Sequence, residues 1–204
     1  MKRMFAIATL MLSAAMHTGV SAQQSEDADQ PAKVLAEQVC VVCHGAGGHS
    51  TSADTPNLAA QPRQYLAAKI RRFRNASAGK PDSHIDILGL TLMDDPMVDA
   101  LARYYAAQPP PAPVAGNAGA IAIGGKIYAR GAPEQNLAPC GVCHGANGAG
   151  LWIFPRLAGQ HAEYVVHEIR SIQERSRHAP LMHGIIKTMT PEEINAVAMF
   201  VQSQ

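Results

Sequence analysis

The five residues Cys-Val-Val-Cys-His at 40–44 return as Cys-Gly-Val-Cys-His at 140–144. Two cysteines three positions apart, with a histidine directly after them, form the C-x-x-C-H signal for attachment of c-type haem. The thiols add to the vinyl groups of the haem, and the histidine supplies an axial nitrogen to the iron. The repeat therefore predicts two covalently bound c-type haems. The expected residues are Cys40, Cys43, Cys140 and Cys143 for attachment, with His44 and His144 as iron ligands.

Three other uses of two cysteine pairs fit the sequence less well. A zinc site needs four converging ligands, and two pairs a hundred residues apart in separate repeats would rarely meet. Structural disulfides suit an exported protein, but they give no reason for a histidine after each pair. A thiol redox centre normally belongs to a strand-rich fold, and no alternating strand pattern is present. Haem attachment accounts for all six residues.

The cysteine motifs belong to a longer internal repeat. A shift of 99 residues also aligns PNLAAQPRQYL, from Pro56, with PRLAGQHAEYV, from Pro155. Two copies of this length indicate duplicated domains. Between them lies a segment rich in Pro, Gly and Ala, which is typical of an extended, semi-rigid linker. We therefore predict a first domain over 23–107, a linker over 108–119 and a second domain over 120–204.

Apolar residues recur at helical spacing in both copies. The clearest periods lie in 63–75 and 161–173, after the two proline-containing loops. The segments 31–39 and 120–131 are shorter helix candidates before the cysteine pairs, and paired glycines weaken the second of them. The predicted fold class is all-α, with two tandem domains.

The closing helix of each copy carries its own start signal. Thr190 with Glu193 three residues later is a capping-box pattern, and Pro191 suits the first helical position. Asp95 followed by Pro96 marks the start of the matching helix in the first copy.

The first 22 residues have the pattern of a secretory signal peptide, with Lys2 and Arg3, an apolar run over 5–16 and small residues up to Ala22. That run is too short for a bilayer, which takes ~20 apolar residues, and no second long apolar segment follows it. We expect export to the periplasm and removal of the leader. Removing two of the 17 Lys and Arg leaves 15 against 16 Asp and Glu, a net charge of about −1. This charge gives no bulk affinity for nucleic acid.

The chain resembles the class I c-type cytochromes, and in particular the two-domain dihaem cytochromes of the c4 family. The resemblance covers nearly the whole mature length. It is carried by CVVCH and CGVCH, by the PNLAAQ and PRLAGQ loops with the following Tyr65 and Tyr164, and by the late MHGIIKTMTPEEINAVAMF. It implies a methionine shortly before the closing helix as sixth iron ligand, and Met182 occupies that place. A thioether on a loop opposite His144 would give low-spin iron with a raised potential, suited to electron transfer.

The first copy departs from the family pattern, because no methionine occurs in the segment 66–91. His84 is the one strong iron ligand of that loop, so we predict it as sixth ligand of the first haem. Two alternatives stay open. In the first, the iron of the first haem is open or water-bound; in the second, a rearranged loop supplies Met93 or Met97 as its sixth ligand.

Three further groups of residues carry expectations. The resemblance implies that Pro56 and Pro155 pack on the proximal histidines, and Trp152 and Phe154 are expected to wall the second macrocycle. The RRFR run at 71–74 is typical of a solvated helix face. Alternatively, this run docks an acidic partner or holds a haem propionate.

These features predict a periplasmic electron carrier rather than an enzyme, since no acid–base or substrate-orienting cluster accompanies the haem motifs. The expected partners are redox proteins at the periplasmic face of the membrane. The donor would be a quinol-oxidising complex or a dehydrogenase, and the acceptor a terminal oxidase. Two alternatives stay open: a haem enzyme with an open first iron, and a fixed cytochrome subunit of a dehydrogenase.

Overall fold

The computed structural model describes residues 29–77 and 90–204, and within these ranges the chain is helical and contains no strand. Two isolated β-bridges join Ala132 to Leu137 and Leu151 to Phe154. The all-α prediction is confirmed. The predicted signal peptide, 1–22, and His84 lie outside the described residues.

The described part of the first half, 29–77 and 90–107, contains three long helices and two short 3-10 turns, Ala46–Gly48 and Leu90–Leu92. Helix α1 covers residues 29–44 and includes a π-helical turn, Ala36–Cys40, followed by the α-helical Val41–His44. Helix α2 is Arg63–Ser77 and helix α3 is Asp95–Ala106. The sequence pattern ended the first helix at 39, whereas in the structure the π-helical turn carries α1 straight into the cysteine pair.

The second half contains five α-helices and one short 3-10 turn, Pro133–Gln135. They are α4 Ala118–Arg130, α5 Gly141–His144, α6 Ala162–Gln173, α7 Pro180–Ile186 and α8 Pro191–Gln202. Helices α4 and α6 match the predicted segments to within two residues. The segment with Met182 was expected to be a loop, but in the structure it forms α7, with Pro180 at the first helical position.

Each half has its own apolar core. The first core joins α1, α2 and α3 through residues that include Ala32, Ala36, Leu66, Val98, Leu101 and Tyr105. The second joins α4, α6 and α8 through residues that include Tyr128, Val165, Ile169, Ile194, Val197 and Val201. In both halves the closing helix packs against the opening one and so positions the cysteine pair that follows the latter.

The start signals of the closing helices are seen as hydrogen bonds. The Thr190 backbone N–H donates to Glu193 Oε2 (2.8 Å), and the Glu193 N–H donates to Thr190 Oγ1 (3.3 Å), which completes the predicted capping box. In α3 the cap is Asp94, whose Oδ1 accepts from the Met97 N–H (2.8 Å). The helix therefore starts at Asp95, as predicted.

The paired glycines of α4 lie where this helix crosses α8. A Cβ atom at Gly124 would come 2.0 Å from the Ala196 carbonyl oxygen, and one at Gly125 would come 3.1 Å from the Phe200 ring. These glycines lower helix propensity, but Gly124 allows the two backbones to approach closely and Gly125 leaves room for the Phe200 ring.

Replacing Gly124 with Ala is expected to destabilise the second half by about 2–3 kcal/mol, because overpacking against a backbone atom cannot be relieved by rotating a side chain. Chemical denaturation of the holoprotein measures the free energy of unfolding. Gly184→Ala in α7 is the matched control, since a Cβ there meets nothing within 4 Å. Equal stability of the two variants would contradict this role for the crossing.

The Pro-rich segment between the halves has no regular secondary structure over 109–117, and α4 begins at Ala118. Its Val114 N–H donates to the Gln202 carbonyl (3.0 Å), so the segment lies against the end of α8. None of the helices in 29–77 and 90–204 is long and apolar enough to cross a membrane.

The arginines of the RRFR run are not a freely solvated face. Arg71 pairs with Asp95 and Asp99 on α3, and Arg74 pairs with Asp95. Arg72 donates to the His178 carbonyl of the second half. These groups tie α2 to α3 and to the other half. The partly exposed pairs contribute little to stability individually.

Candidate haem sites

Each cysteine pair lies on a single helical turn. The turns are Val41–His44 and Gly141–His144, and the cysteine before each turn has α-helical backbone angles. Positions i, i+3 and i+4 of a helix share one face. Both thiols and the imidazole of each motif are therefore presented on the same side of the turn.

None of the four cysteines of the two motifs is paired in a disulfide. In the described ranges, no three His, Cys, Asp or Glu side chains converge in a way that could hold a metal ion. The two cysteine pairs therefore lie at separate sites.

Burial acts on the first cysteine of each pair. It raises the pKa of Cys140 to about 11 and also raises the pKa of Cys40. Thiols with raised pKa values are protonated near neutral pH, unlike the low-pKa thiolates of redox-active cysteines. This argues against a thiol redox centre.

Each histidine of the two motifs is held by a proline carbonyl. His44 Nδ1 lies 2.9 Å from Pro56 O, and His144 Nδ1 lies 3.0 Å from Pro155 O. Because a carbonyl oxygen only accepts, Nδ1 carries the proton in each ring and Nε2 keeps its lone pair. Burial lowers the pKa of both imidazoles, while the proline carbonyls raise it to a smaller extent. Both rings are thus neutral and oriented as a metal ligand requires.

The loops that carry these prolines are folded alike in the two halves. The Gly48 carbonyl accepts from the N–H groups of Leu58 and Ala59 at 2.8 and 3.2 Å. The Gly148 carbonyl accepts from Leu157 and Ala158 at 2.8 and 2.9 Å. Both glycines have positive φ, a backbone conformation that disfavours other residues. This closure holds each proline carbonyl over its histidine.

Each loop is also fixed to its closing helix. The Ala60 N–H donates to the Tyr105 carbonyl of α3, and the Gly159 N–H donates to the Val201 carbonyl of α8, both at 2.9 Å. The histidine, the loop and the end of the closing helix therefore form one connected unit in each half.

Met182 lies on α7, half-buried against the second core, which Cys140 also borders. The Gln173 side chain holds the residues that follow Met182. Gln173 Nε2 donates to the carbonyls of Ile186 (2.9 Å) and Met189 (3.0 Å). Met189 itself is only 6% exposed and belongs to the core. In the first half Met93 is buried in the core and Met97 packs against it.

The two aromatic residues expected beside the second haem, Trp152 and Phe154, lie in different surroundings. The Phe154 ring lies edge-on to the His144 ring, with centroids 6.2 Å apart. Trp152 is 63% exposed and has a positive φ. Phe154 is therefore the aromatic neighbour of the histidine.

Comparisons with known proteins agree with this geometry. The cytochrome c family model matches residues 121–204. Cytochrome c4 of Thiocapsa roseopersicina is 32% identical over 179 residues, which cover 85% of this chain and 91% of that protein. The chain belongs to the cytochrome c4 family. A thiosulfate dehydrogenase electron acceptor of Thiomonas intermedia is 35% identical over 173 residues, covering 81% of this chain and 78% of that protein. The crystal structure of reduced cytochrome c4 from Pseudomonas stutzeri superimposes with a TM-score of 0.77 at 27% identity, covering 87% of this chain and 97% of that one.

The protein is thus a dihaem class I c-type cytochrome that transfers electrons, and its haems are covalently bound c-type haems. The side chains present fit such a group. In this c4-family chain, each helical turn offers two cysteine side chains and one neutral imidazole whose Nε2 keeps its lone pair.

Sequence reasoning did not identify Gln61 and Gln160, which end the PNLAAQ and PRLAGQ loops. Both side chains are almost fully buried and reach into the opposite half. Their identical place in the two copies was the available signal, but a repeat alone does not show which residues cross between domains.

Proposed function

We propose that this cytochrome is a periplasmic electron carrier with Cys40, Cys43, Cys140 and Cys143 as attachment residues and with His44, His144 and Met182 as axial ligands. The observation that supports it best is the duplicated helical turn with its histidine fixed by a proline carbonyl. The haem iron supplies one-electron chemistry. The cysteines retain the group, and the proline carbonyls orient the ligand nitrogens.

In this proposal His84 is the sixth ligand of the first haem, which makes the two irons inequivalent. Imidazole stabilises ferric iron more than a thioether does. The first haem would then have the lower potential, so electrons would rest in the Cys140 domain.

Replacing His84 with Ala is expected to turn a low-spin first haem into a high-spin one that binds carbon monoxide, with no change at the second haem. EPR and carbon monoxide binding on wild type and variant measure this. A wild-type first haem that is already high-spin and binds carbon monoxide rapidly would contradict the assignment. It would favour the open-iron alternative, in which the first domain is a catalytic or gas-binding site.

The proposed electron donor is a quinol-oxidising complex or a dehydrogenase, and the proposed acceptor is a terminal oxidase. A second candidate is the acceptor role for a thiosulfate dehydrogenase, favoured by the similarity to the Thiomonas intermedia protein of that name.

Stopped-flow reduction of the oxidised protein distinguishes these roles. One sample receives quinol with a quinol-oxidising complex, a second receives thiosulfate with a thiosulfate dehydrogenase, and a third receives thiosulfate alone. Fast reduction only in the first supports the respiratory role, and fast reduction only in the second supports the other. Turnover of thiosulfate in the third would show an enzyme and contradict the carrier proposal.

A further inference from the structure

Gln61 and Gln160 form a reciprocal pair of bridges between the two halves. Gln160 Oε1 accepts from the Asn57 N–H (2.9 Å), and its Nε2 donates to the Asn57 carbonyl (3.1 Å). In the reciprocal arrangement, Gln61 Oε1 accepts from the Arg156 N–H (2.9 Å), and Gln61 Nε2 donates to the Arg156 carbonyl (2.8 Å). Each glutamine therefore binds both backbone groups of one residue in the opposite domain.

Both bridges are shielded from water, since Gln61 is 5% and Gln160 is 4% exposed. Hydrogen bonds in such surroundings are electrostatically stronger than in water, and they polarise one another along a chain.

The peptide units that receive these bridges are the ones that hold the axial histidines. The Asn57 N–H belongs to the same planar amide as the Pro56 carbonyl, which accepts from His44 Nδ1 at 2.9 Å. The Arg156 N–H likewise shares its amide with the Pro155 carbonyl, which accepts from His144 Nδ1 at 3.0 Å. Resonance links the two ends of an amide. An acceptor at the N–H makes the carbonyl oxygen more negative and a better acceptor for the histidine.

We propose that each glutamine is a positioning residue for the haem of the opposite domain: Gln160 acts on the Cys40 haem through Pro56 and His44, and Gln61 acts on the Cys140 haem through Pro155 and His144. This rests on the assignment of His44 and His144 as axial ligands. A stronger acceptor at Nδ1 raises the basicity of the ligating imidazole, which favours ferric iron and lowers the potential. The domain interface thus sets the redox equilibrium of both haems.

The test is a potentiometric titration of the holoprotein that resolves the two haems, with assignment by variants of their sixth ligands. Gln160→Leu removes both bonds to Asn57. It should raise the reduced-to-oxidised ratio of the Cys40 haem at a fixed ambient potential by roughly two- to fivefold. Loss of a residue that bonds directly to a metal ligand lowers metal affinity or activity by roughly 10- to 100-fold, and the effect here should be smaller because the glutamine acts through an amide. Gln61→Leu should do the same to the Cys140 haem. In each variant the haem of the glutamine's own domain should change less.

Gln160→Glu is the rescue variant at mildly acidic pH, because a protonated carboxyl group keeps an acceptor for the Asn57 N–H and a donor for the Asn57 carbonyl. In that form it should stay close to wild type. His161→Leu is the interface control. Its Nε2 bonds to the Ser50 carbonyl across the interface at 2.9 Å without touching either proline amide, so its loss should leave the ratio of both haems unchanged.

A shift confined to the glutamine's own domain, equal shifts of both haems, or no shift in a folded variant would overturn the proposal. If Gln160→Leu does not fold, Gln160→Asn serves instead, since its shorter amide cannot span to Asn57 and it predicts the same result. Two reversible haem transitions in the wild type would keep the carrier proposal intact even where the variants leave the potentials unchanged.

Discussion

A variant in which Cys140 and Cys143 are both replaced by Ala is expected to carry one covalent haem per chain in place of two. The attached group is lost because no other cysteine lies in the second half to form a thioether. Cys140 and Met182 border the second core, so the half that loses its haem should also lose stability. The Cys40/Cys43 double variant is the matched control and should lose the other haem.

Intact mass under denaturing conditions, together with haem staining of a denaturing gel, counts the attached groups. One haem in each double variant is the expected result. Retention of two haems in either variant, or a wild type with stoichiometric zinc and no haem, would contradict the attachment assignment.

Replacing Met182 with Ala is expected to abolish the sulfur-to-iron absorption of the second haem and to lower its potential. A thioether favours ferrous iron more than water or imidazole does. The decrease should be roughly 0.1–0.2 V, within the range of about 0.8 V that axial ligands span. Added imidazole or cyanide should then bind the vacated position more readily.

Met189→Leu is the control, since Met189 is a buried core residue seven positions later in the chain. It should keep both the absorption and the potential. If Met182→Ala leaves them unchanged while Met189→Leu removes them, the ligand assignment is wrong and Met182 is a packing residue.

Local patterns were sufficient to predict most of the helices. The Thr190 capping box and the apolar period of α6 depend on residues a few positions apart, and both are seen in the structure. The paired glycines of α4 show the limit of such reasoning. They lower helix propensity locally, but the close contact with α8 requires a glycine at position 124. This contact joins segments some 70 residues apart.

At the candidate sites, too, local features could be predicted from the sequence and contacts between distant segments could not. The C-x-x-C-H spacing is local, so it predicts which thiols and imidazole share a face. The arginines at 71–74 were expected on a solvated face, yet two of them pair with Asp95 on another helix. The bridges of Gln61 and Gln160 connect residues 95 to 103 positions apart, and no periodicity in the sequence indicates a pairing of that kind.

The most direct test that this protein carries electrons on two haems is an optical potentiometric titration of the purified wild-type protein. A dihaem carrier predicts two reversible one-electron transitions of haem, with the sulfur-to-iron absorption on the component of higher potential. A single haem transition, or none, would contradict the account.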